Sequence, residues 1–187
     1  MSTISESQLY NATEHGLTST DESEQAIAAA EFANKAGWYI ELTTEGEKVL
    51  ASPLIIDYKV FFTTYVPAVS STSACAPPSG NSRAYLVNMF NGNAVSDLNN
   101  NGDLDSGDRY ADLKQTGIAP ETKILIEDIV SPVVCLGTEC VSAVIQVDAE
   151  GNEEACTSAF ACLAENIYGK FERIQRGAWH SETERNE

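Results

Sequence analysis

The twelve-residue run from Asp97 to Asp108 constrains this chain more than any other part of its sequence. Its polar residues recur with the spacing of an EF-hand-type loop, in which alternate residues turn oxygen atoms toward one cation. With Asp97 as position 1, Gly102 stands at position 6, where the backbone must turn sharply and a Cβ atom would be in the way. The predicted ligands of one Ca²⁺ are Asp97, Asn99, Asn101, Asp103 through its main-chain carbonyl, Asp105 and Asp108.

An ordinary Asn-, Asp- and Gly-rich surface turn is the alternative interpretation of this run. A plain turn has no reason to keep the phase of six loop positions, so the spacing favours calcium. Asp108 stands where an EF-hand has a bidentate Glu, and Asn99 and Asn101 are neutral amides. The expected dissociation constant for calcium is therefore about 10⁻⁵ to 10⁻³ M, the range of weak sensors and extracellular modules.

Length and charge narrow the function classes. With 187 residues, of which 43% are hydrophobic, the chain can bury the core of one domain. A formal net charge of −17 argues against nucleic-acid binding, because no basic patch can displace counterions from phosphates. No apolar run is long enough to span a membrane, and residues 1–20 are polar where a signal peptide has an apolar stretch.

Five cysteines, by contrast, are typical of an extracytoplasmic protein. Cys135 and Cys140 flank a short turn, and Cys156 and Cys162 bracket a second short segment, so two local disulfides are geometrically plausible. Cys75 would then be free, paired outside this chain, or a sign that its pairing partner is missing. The alternative is that all five are reduced thiols, which the lack of a signal peptide favours.

The pattern along the chain predicts an arm, a helix and a β domain. Residues 1–20 are polar and aperiodic, which predicts a flexible arm. Asp21 as N-cap and Gly37 as the terminating glycine predict one short helix over 21–36. The range 37–187 is predicted to be a β domain that holds the loop 97–108 and ends in a charged C-terminal tail. Strands are predicted at 38–42, 48–51, 54–56, 60–66, 84–90, 123–126, 129–135 and 141–147.

Two parts of the β region echo each other. A Ser-Pro pair followed by apolar residues begins at Ser52 and again at Ser131, and in each case an apolar strand and a Gly-containing turn come later. This unit resembles the blade repeat of quinoprotein-type β-propellers. A blade takes about 40 to 50 residues and a closed ring needs at least about four. The predicted fold is therefore mainly β: a partial quinoprotein-like β-propeller of two to three blades, with one short N-terminal helix and an inserted EF-hand-like calcium loop.

Several motifs together resemble a known family. They are Gly-Trp-Tyr-Ile-Glu-Leu from Gly37, Gly-Glu-Lys-Val-Leu-Ala-Ser-Pro-Leu from Gly46, Val-Phe-Phe-Thr-Thr from Val60, Cys-Ala-Pro from Cys75 and the strand from Ala84. Over roughly residues 37–126, with a weaker echo at 173–180, they are similar to the C-terminal part of the type IV pilus PilC/PilY family. The resemblance implies a calcium loop of the form DxNxDGxxD, which falls on Asp97 to Asp105, with Asn101 where the family pattern has Asp.

The resemblance also implies a function. It implies a calcium-binding domain of a pilus-tip or pilus-biogenesis protein that supports pilus assembly, twitching motility and surface adhesion outside the cytoplasm. Pilin or minor pilin subunits and the missing portion of the propeller are the implied partners. A calcium-stabilised extracellular protein-binding module without a pilus role and a truncated quinoprotein-like propeller remain alternatives.

No enzymatic activity is expected, because the chain carries no nucleophile-elbow, Walker or dinucleotide motif. The acidic residues Glu45 and Glu47, and the pair Glu153 and Glu154, are interpreted as solvated turn charges.

Overall fold

A computed structural model describes residues 3–14, 16–68, 79–99, 101–125, 133–136, 139–142, 159 and 162–163 of the chain. Within this part the protein is mainly β with one α-helix, as the sequence predicts. The helix α1 spans Glu22–Phe32. The strands are β1 Leu9–Asn11, β2 Gly37–Tyr39, β3 Lys48–Val49, β4 Leu54–Ile56, β5 Lys59–Val66, β6 Asn81–Asn88, β7 Tyr110–Thr116, β8 Lys123–Leu125, β9 Val133–Leu136 and β10 Glu139–Ser142.

The main sheet is an antiparallel meander built on the long pair β5 and β6. These strands, rich in β-branched and aromatic residues, pair over their whole length, from Lys59 opposite Asn88 to Val66 opposite Asn81. On the far side of β6 lies β7, and on the far side of β5 lie both β3 and β4. The two short strands β3 and β4 pair with opposite ends of β5, so together they form one edge of this five-stranded sheet.

One face of the main sheet carries the hydrophobic core. Side chains alternate between the two faces of a strand, so the core residues of β6 and of β7 are two positions apart along each strand. The buried members of the cluster are Phe61, Ala84, Leu86, Leu98, Ala111, Leu113, Cys162 and Leu163. Leu98 belongs to the predicted calcium loop, so the start of that loop is fixed to the core.

Strand β7 is one that the sequence did not predict. Only Ala111 and Leu113 face the core, and the residues that follow to Thr116 are exposed. Two inward positions give too short an alternation to distinguish a strand from a polar loop. The chain therefore returns to the sheet at Tyr110, directly after the predicted loop, rather than near Lys123.

A second antiparallel sheet has the order β10, β9, β8. Cys135 and Cys140 lie opposite each other in its register, and the predicted disulfide joins them. Cys162 is also disulfide-bonded. Its predicted partner Cys156 and the odd Cys75 lie outside the described residues, as does the charged tail. Among the described strands neither sheet closes on itself, so the propeller remains a prediction.

The N-terminal region packs beside the main sheet. Within the range predicted as a flexible arm, β1 pairs in parallel with β2. Asp21 is the N-cap of α1, as predicted, and its carboxylate accepts the N–H groups of Ser23 (2.8 Å) and Glu24 (3.4 Å). The side chains of Tyr10, Ala12 and Ala28 form a small second core. No helix in the described ranges is long and apolar enough to cross a membrane.

Candidate metal centre

The predicted calcium loop connects β6 to β7, and buried residues hold both of its ends. Near its start Leu98 is 5% exposed and packs in the core, while at its end Asp108 is 1% exposed. Between these two anchors most of the polar residues face solvent; Asn100 is not among the described residues. The loop is therefore fixed at its ends and open along its middle.

In the first half of the loop, the side-chain oxygen atoms of Asp97 and Asn99 converge on neighbouring backbone N–H groups. The N–H of Asn101 donates to Asn99 Oδ1 (3.0 Å) and to Asp97 Oδ1 (3.3 Å), and the N–H of Gly102 donates to Asp97 Oδ2 (2.7 Å). Gly102 has φ of +92°, and a Cβ added there would meet nothing within 4 Å. The glycine is therefore required by the backbone conformation and not by crowding. Oxygen atoms from loop positions 1 and 3 both lie within 3.3 Å of a single backbone nitrogen.

The second half of the loop brings Asp105 into contact with Asn101, and so joins it to Asp97 and Asn99. The side-chain amide Nδ2 of Asn101 donates to Asp105 Oδ2 (3.3 Å), and Asn101 Oδ1 accepts the N–H of Asp103 (2.8 Å). Asp105 Oδ1 accepts the N–H of Gly107 (2.6 Å), which caps the short 3₁₀ turn Ser106–Arg109. The predicted ligands Asp97, Asn99, Asn101 and Asp105 are thus joined in one hydrogen-bonded chain.

Asp108 has a different environment. Its Oδ1 accepts the N–H groups of Leu98 (2.9 Å) and Asn99 (3.3 Å), and its Oδ2 accepts the N–H of Asp105 (2.9 Å). Each carboxylate oxygen has two lone pairs, so Oδ1 is fully used and Oδ2 keeps one. The carboxylate therefore ties the two ends of the loop together and can offer a cation one oxygen at most.

Arg109 follows Asp108 and is buried, with 2% of its surface exposed. Its guanidinium donates from Nη1 to the carbonyl of Thr13 (3.0 Å) and from Nη2 to the carbonyl of Ala12. Burial lowers the pKa of Arg109 to about 10, and Nε makes no hydrogen bond to any described residue. This contact could not be predicted from sequence, since no local pattern distinguishes a buried arginine beside an acidic loop from an exposed one.

Negative charge gathers where the loop meets the N-terminal region. A cavity of about 270 Å³ lies between them and is lined by Glu14, Glu24, Asp103 and Asp105 among others. The described ranges contain no group of three or more His, Cys, Asp or Glu side chains arranged to hold a metal ion. The predicted ligand set depends on the amides of Asn99 and Asn101 and on a main-chain carbonyl, so calcium coordination remains a prediction.

A buried charged network lies on the second face of the main sheet. The carboxylate of Glu47 has no exposed surface, and it accepts hydrogen bonds from Arg83 Nη1 (2.9 Å), Thr64 Oγ1 (2.6 Å) and the Tyr85 hydroxyl (2.9 Å). Burial, together with the negative charge of Glu47, raises the pKa of Tyr85. The interpretation of Glu47 as a solvated turn charge is wrong. Glu47 directly precedes β3, and the pairing of β3 with β5 places Glu47 against the sheet.

Comparison with known proteins gives one partial relationship. The chain is 32% identical over 93 residues to a protein of Xylella fastidiosa described as a type IV pilus biogenesis factor PilY1 homolog. The match covers 47% of this chain and 6% of that relative, so the chain spans a small fraction of the relative's length. No protein-family model matches the chain. No solved structure matches it. The similarity is a PilY1-like relationship over about half of the chain, in agreement with the resemblance of the sequence motifs.

Proposed function

We propose that this chain is a calcium-binding part of a type IV pilus biogenesis or pilus-tip protein, in which loop 97–108 holds one Ca²⁺. The calcium assignment is carried by the hydrogen-bonded chain that joins Asp97, Asn99, Asn101 and Asp105 around the left-handed turn at Gly102. The pilus assignment is supported by the partial similarity to the PilY1 homolog.

The chemistry of the loop residues suits a hard cation. Asp97 and Asp105 supply negative charge, while Asn99, Asn101 and the Asp103 carbonyl supply neutral oxygen atoms, all of the ligand class that Ca²⁺ prefers. A cation in this position would replace the contact between Asn101 Nδ2 and Asp105 Oδ2, and rotation of the Asn101 amide would aim its oxygen inward. Asp108 would add one oxygen through Oδ2.

The charge of the set limits its affinity. Three carboxylates, one of which can offer only a single oxygen, together with amide and carbonyl oxygens bind calcium less tightly than the acidic loops of cytosolic buffers, so the expected dissociation constant is about 10⁻⁵ to 10⁻³ M. A site of this affinity fills where calcium is plentiful, as at the cell surface, at a pilus tip or in the periplasm. The bound ion then stabilises the folded loop by linkage.

The proposed activity is binding and not catalysis. The calcium-ordered loop would keep one surface of the β domain in a fixed shape for pilin or minor pilin subunits, or for the remaining part of a longer PilY1-like protein. In this account calcium supports pilus assembly, twitching motility and adhesion by stabilising that surface.

Calorimetric titration of the purified chain in chelator-treated buffer tests the calcium assignment. We expect one binding event per chain, with a dissociation constant of about 10⁻⁵ to 10⁻³ M. Asp97→Ala should abolish it, and Glu45→Ala, which removes an exposed carboxylate outside the loop, should leave it unchanged. Absence of heat at millimolar calcium would overturn the assignment.

Deletion of the gene, or its replacement by variant genes, in the organism that carries it tests the pilus assignment. Deletion of the gene should reduce surface pili and twitching motility, and Asp97→Ala should reproduce part of the loss while Glu45→Ala should not. Normal pili and motility in the deletion strain would contradict a pilus role, whatever the calcium titration shows.

A further inference from the structure

We propose that calcium in loop 97–108 controls the docking of the N-terminal segment, defined as residues 12–14 and 16–20, onto that loop. The inference rests on the proposed calcium site and adds a regulated contact to it. The structure supports it with two hydrogen-bonded connections and a shared acidic cavity.

The first connection is made by Arg109. Its guanidinium donates to the carbonyls of Ala12 and Thr13 in the segment, and it follows directly after Asp108, whose carboxylate closes the loop. Because the two residues are adjacent, a change in how the loop closes shifts the backbone that carries the guanidinium. Arg109 therefore links the closure of the loop to the position of the segment.

The second connection is made by Thr18. Its hydroxyl donates to the main-chain carbonyl of Leu104 (3.1 Å). Leu104 lies between Asp103 and Asp105, two of the predicted ligands. The segment thus contacts the loop beside its ligands as well as at its end.

The charges around the shared cavity determine whether calcium favours or opposes docking of the segment. Glu14 and Glu24 line it from the N-terminal side, and Asp103 and Asp105 line it from the loop. Like charges that face one cavity repel, and this repulsion opposes docking. A divalent cation held by Asp105 and the Asp103 carbonyl would offset that charge. Calcium would therefore favour the docked segment, and by reciprocity the docked segment would raise the affinity for calcium.

The burial of Arg109 makes this contact conditional. A buried guanidinium needs its donors satisfied, and in the described part of the chain it has two neutral carbonyls and no carboxylate within ion-pair distance. When the segment is docked, its carbonyls satisfy Nη1 and Nη2. When the segment moves away, the guanidinium returns to water.

The part of the segment that responds to calcium can be placed. Leu9–Asn11 is paired with β2, and the N–H of Glu41 donates to Thr13 Oγ1 (2.9 Å), so residues up to Thr13 have a second attachment. Residues 16–20 are held by α1, since Leu17 packs on the second core and its carbonyl accepts Gln25 Nε2 (3.2 Å), and also by the loop through Thr18. They should therefore report calcium, while β1 serves as an internal reference.

Hydrogen exchange of the full chain, read by mass spectrometry, tests the inference. Backbone amides of residues 16–20 should exchange several-fold more slowly in saturating calcium than in chelator, whereas β1 should not change. Thr18→Val should weaken calcium binding about two- to fivefold, because the hydrogen bond to the Leu104 carbonyl is lost from the docked state. Thr20→Val, a matched change in the same segment, should not alter calcium affinity. Arg109→Lys, which cannot reach both carbonyls, should weaken it more.

Each result has a definite meaning. Calcium binding by calorimetry, with unchanged exchange at 16–20 and unchanged affinity in Thr18→Val, overturns the coupling and leaves the calcium site intact. No binding at all overturns the coupling together with the proposed function. If Arg109→Lys does not fold, Thr18→Val decides the question: a lower melting temperature with unaltered calcium affinity would mean that the contact is structural only.

Discussion

The outer carboxylates of the loop and the buried carboxylates beside the sheet differ in what surrounds them. Asp97 and Asp105 are half-exposed, whereas Glu47 is 8% and Asp108 1% exposed. Glu47 and Asp108 each accept three hydrogen bonds from the protein. A buried carboxylate whose donors are all in place belongs to the fold, because removing it leaves polar groups unsatisfied. A half-exposed carboxylate at the mouth of a turn can exchange its contacts for a cation.

The largest expected effect tests the buried side of this comparison. Glu47→Ala should lower the free energy of unfolding by about 3 kcal/mol, because it leaves Arg83, Thr64 and Tyr85 without their shared acceptor. Chemical denaturation should give the same loss in calcium and in chelator. Glu45→Ala is the matched control and should change little. A loss below about 1 kcal/mol would mean that the network does not stabilise the fold.

The next effect separates the two ends of the loop. Asp108→Asn should lower the free energy of unfolding by about 2 kcal/mol with or without calcium. The reason is that a side-chain amide cannot accept hydrogen bonds from all three N–H groups. Asp103→Asn, an exposed change in the same loop, should be close to neutral in stability. A loss confined to calcium-containing buffer would make Asp108 a ligand first and an anchor second.

Asp97→Ala should show the opposite dependence. At a calcium concentration ten times the dissociation constant, bound calcium should raise the free energy of unfolding of the wild-type chain by about 1.4 kcal/mol. This variant should show no such increase. In chelator the free energies of unfolding of the two should differ by about 1 kcal/mol or less, because the N–H groups of Asn101 and Gly102 that bond to Asp97 are exposed and can bond to water instead. Denaturation curves in both buffers measure this difference. Equal losses in both would show that the run is an ordinary turn.

Asn101→Asp should give the smallest effect and sharpen the comparison. A further carboxylate adds charge to the ligand set, so calcium affinity should rise about threefold. In chelator the same variant should be slightly less stable, since the new charge faces Asp105 across the contact now made by Nδ2. Titration and denaturation measure the two effects; a fall in affinity would show that Asn101 does not face the ion.

Local patterns in the sequence predicted several features correctly. The N-cap Asp21, the strands β5 and β6 and the disulfide between Cys135 and Cys140 are all set by near neighbours in the chain. Features of this type can be predicted because the residues that determine them are adjacent.

The buried charged contacts could not be predicted in this way. Glu47 meets Arg83 only because β5 lies between β3 and β6, and Arg109 reaches carbonyls near the start of the chain. In sequence these residues resemble the exposed charges around them. Strand β7 escaped prediction for a related reason, since Ala111 and Leu113 are buried by packing and carry too weak an apolar pattern to show it.

Equilibrium dialysis against buffered calcium, with bound metal counted per chain, tests the central claim most directly. The account predicts one calcium ion per wild-type chain and per Asp108→Asn chain that remains folded, and none per Asp97→Ala chain at the same free calcium. No bound calcium in the folded wild-type chain, or equal binding by Asp97→Ala, would contradict it.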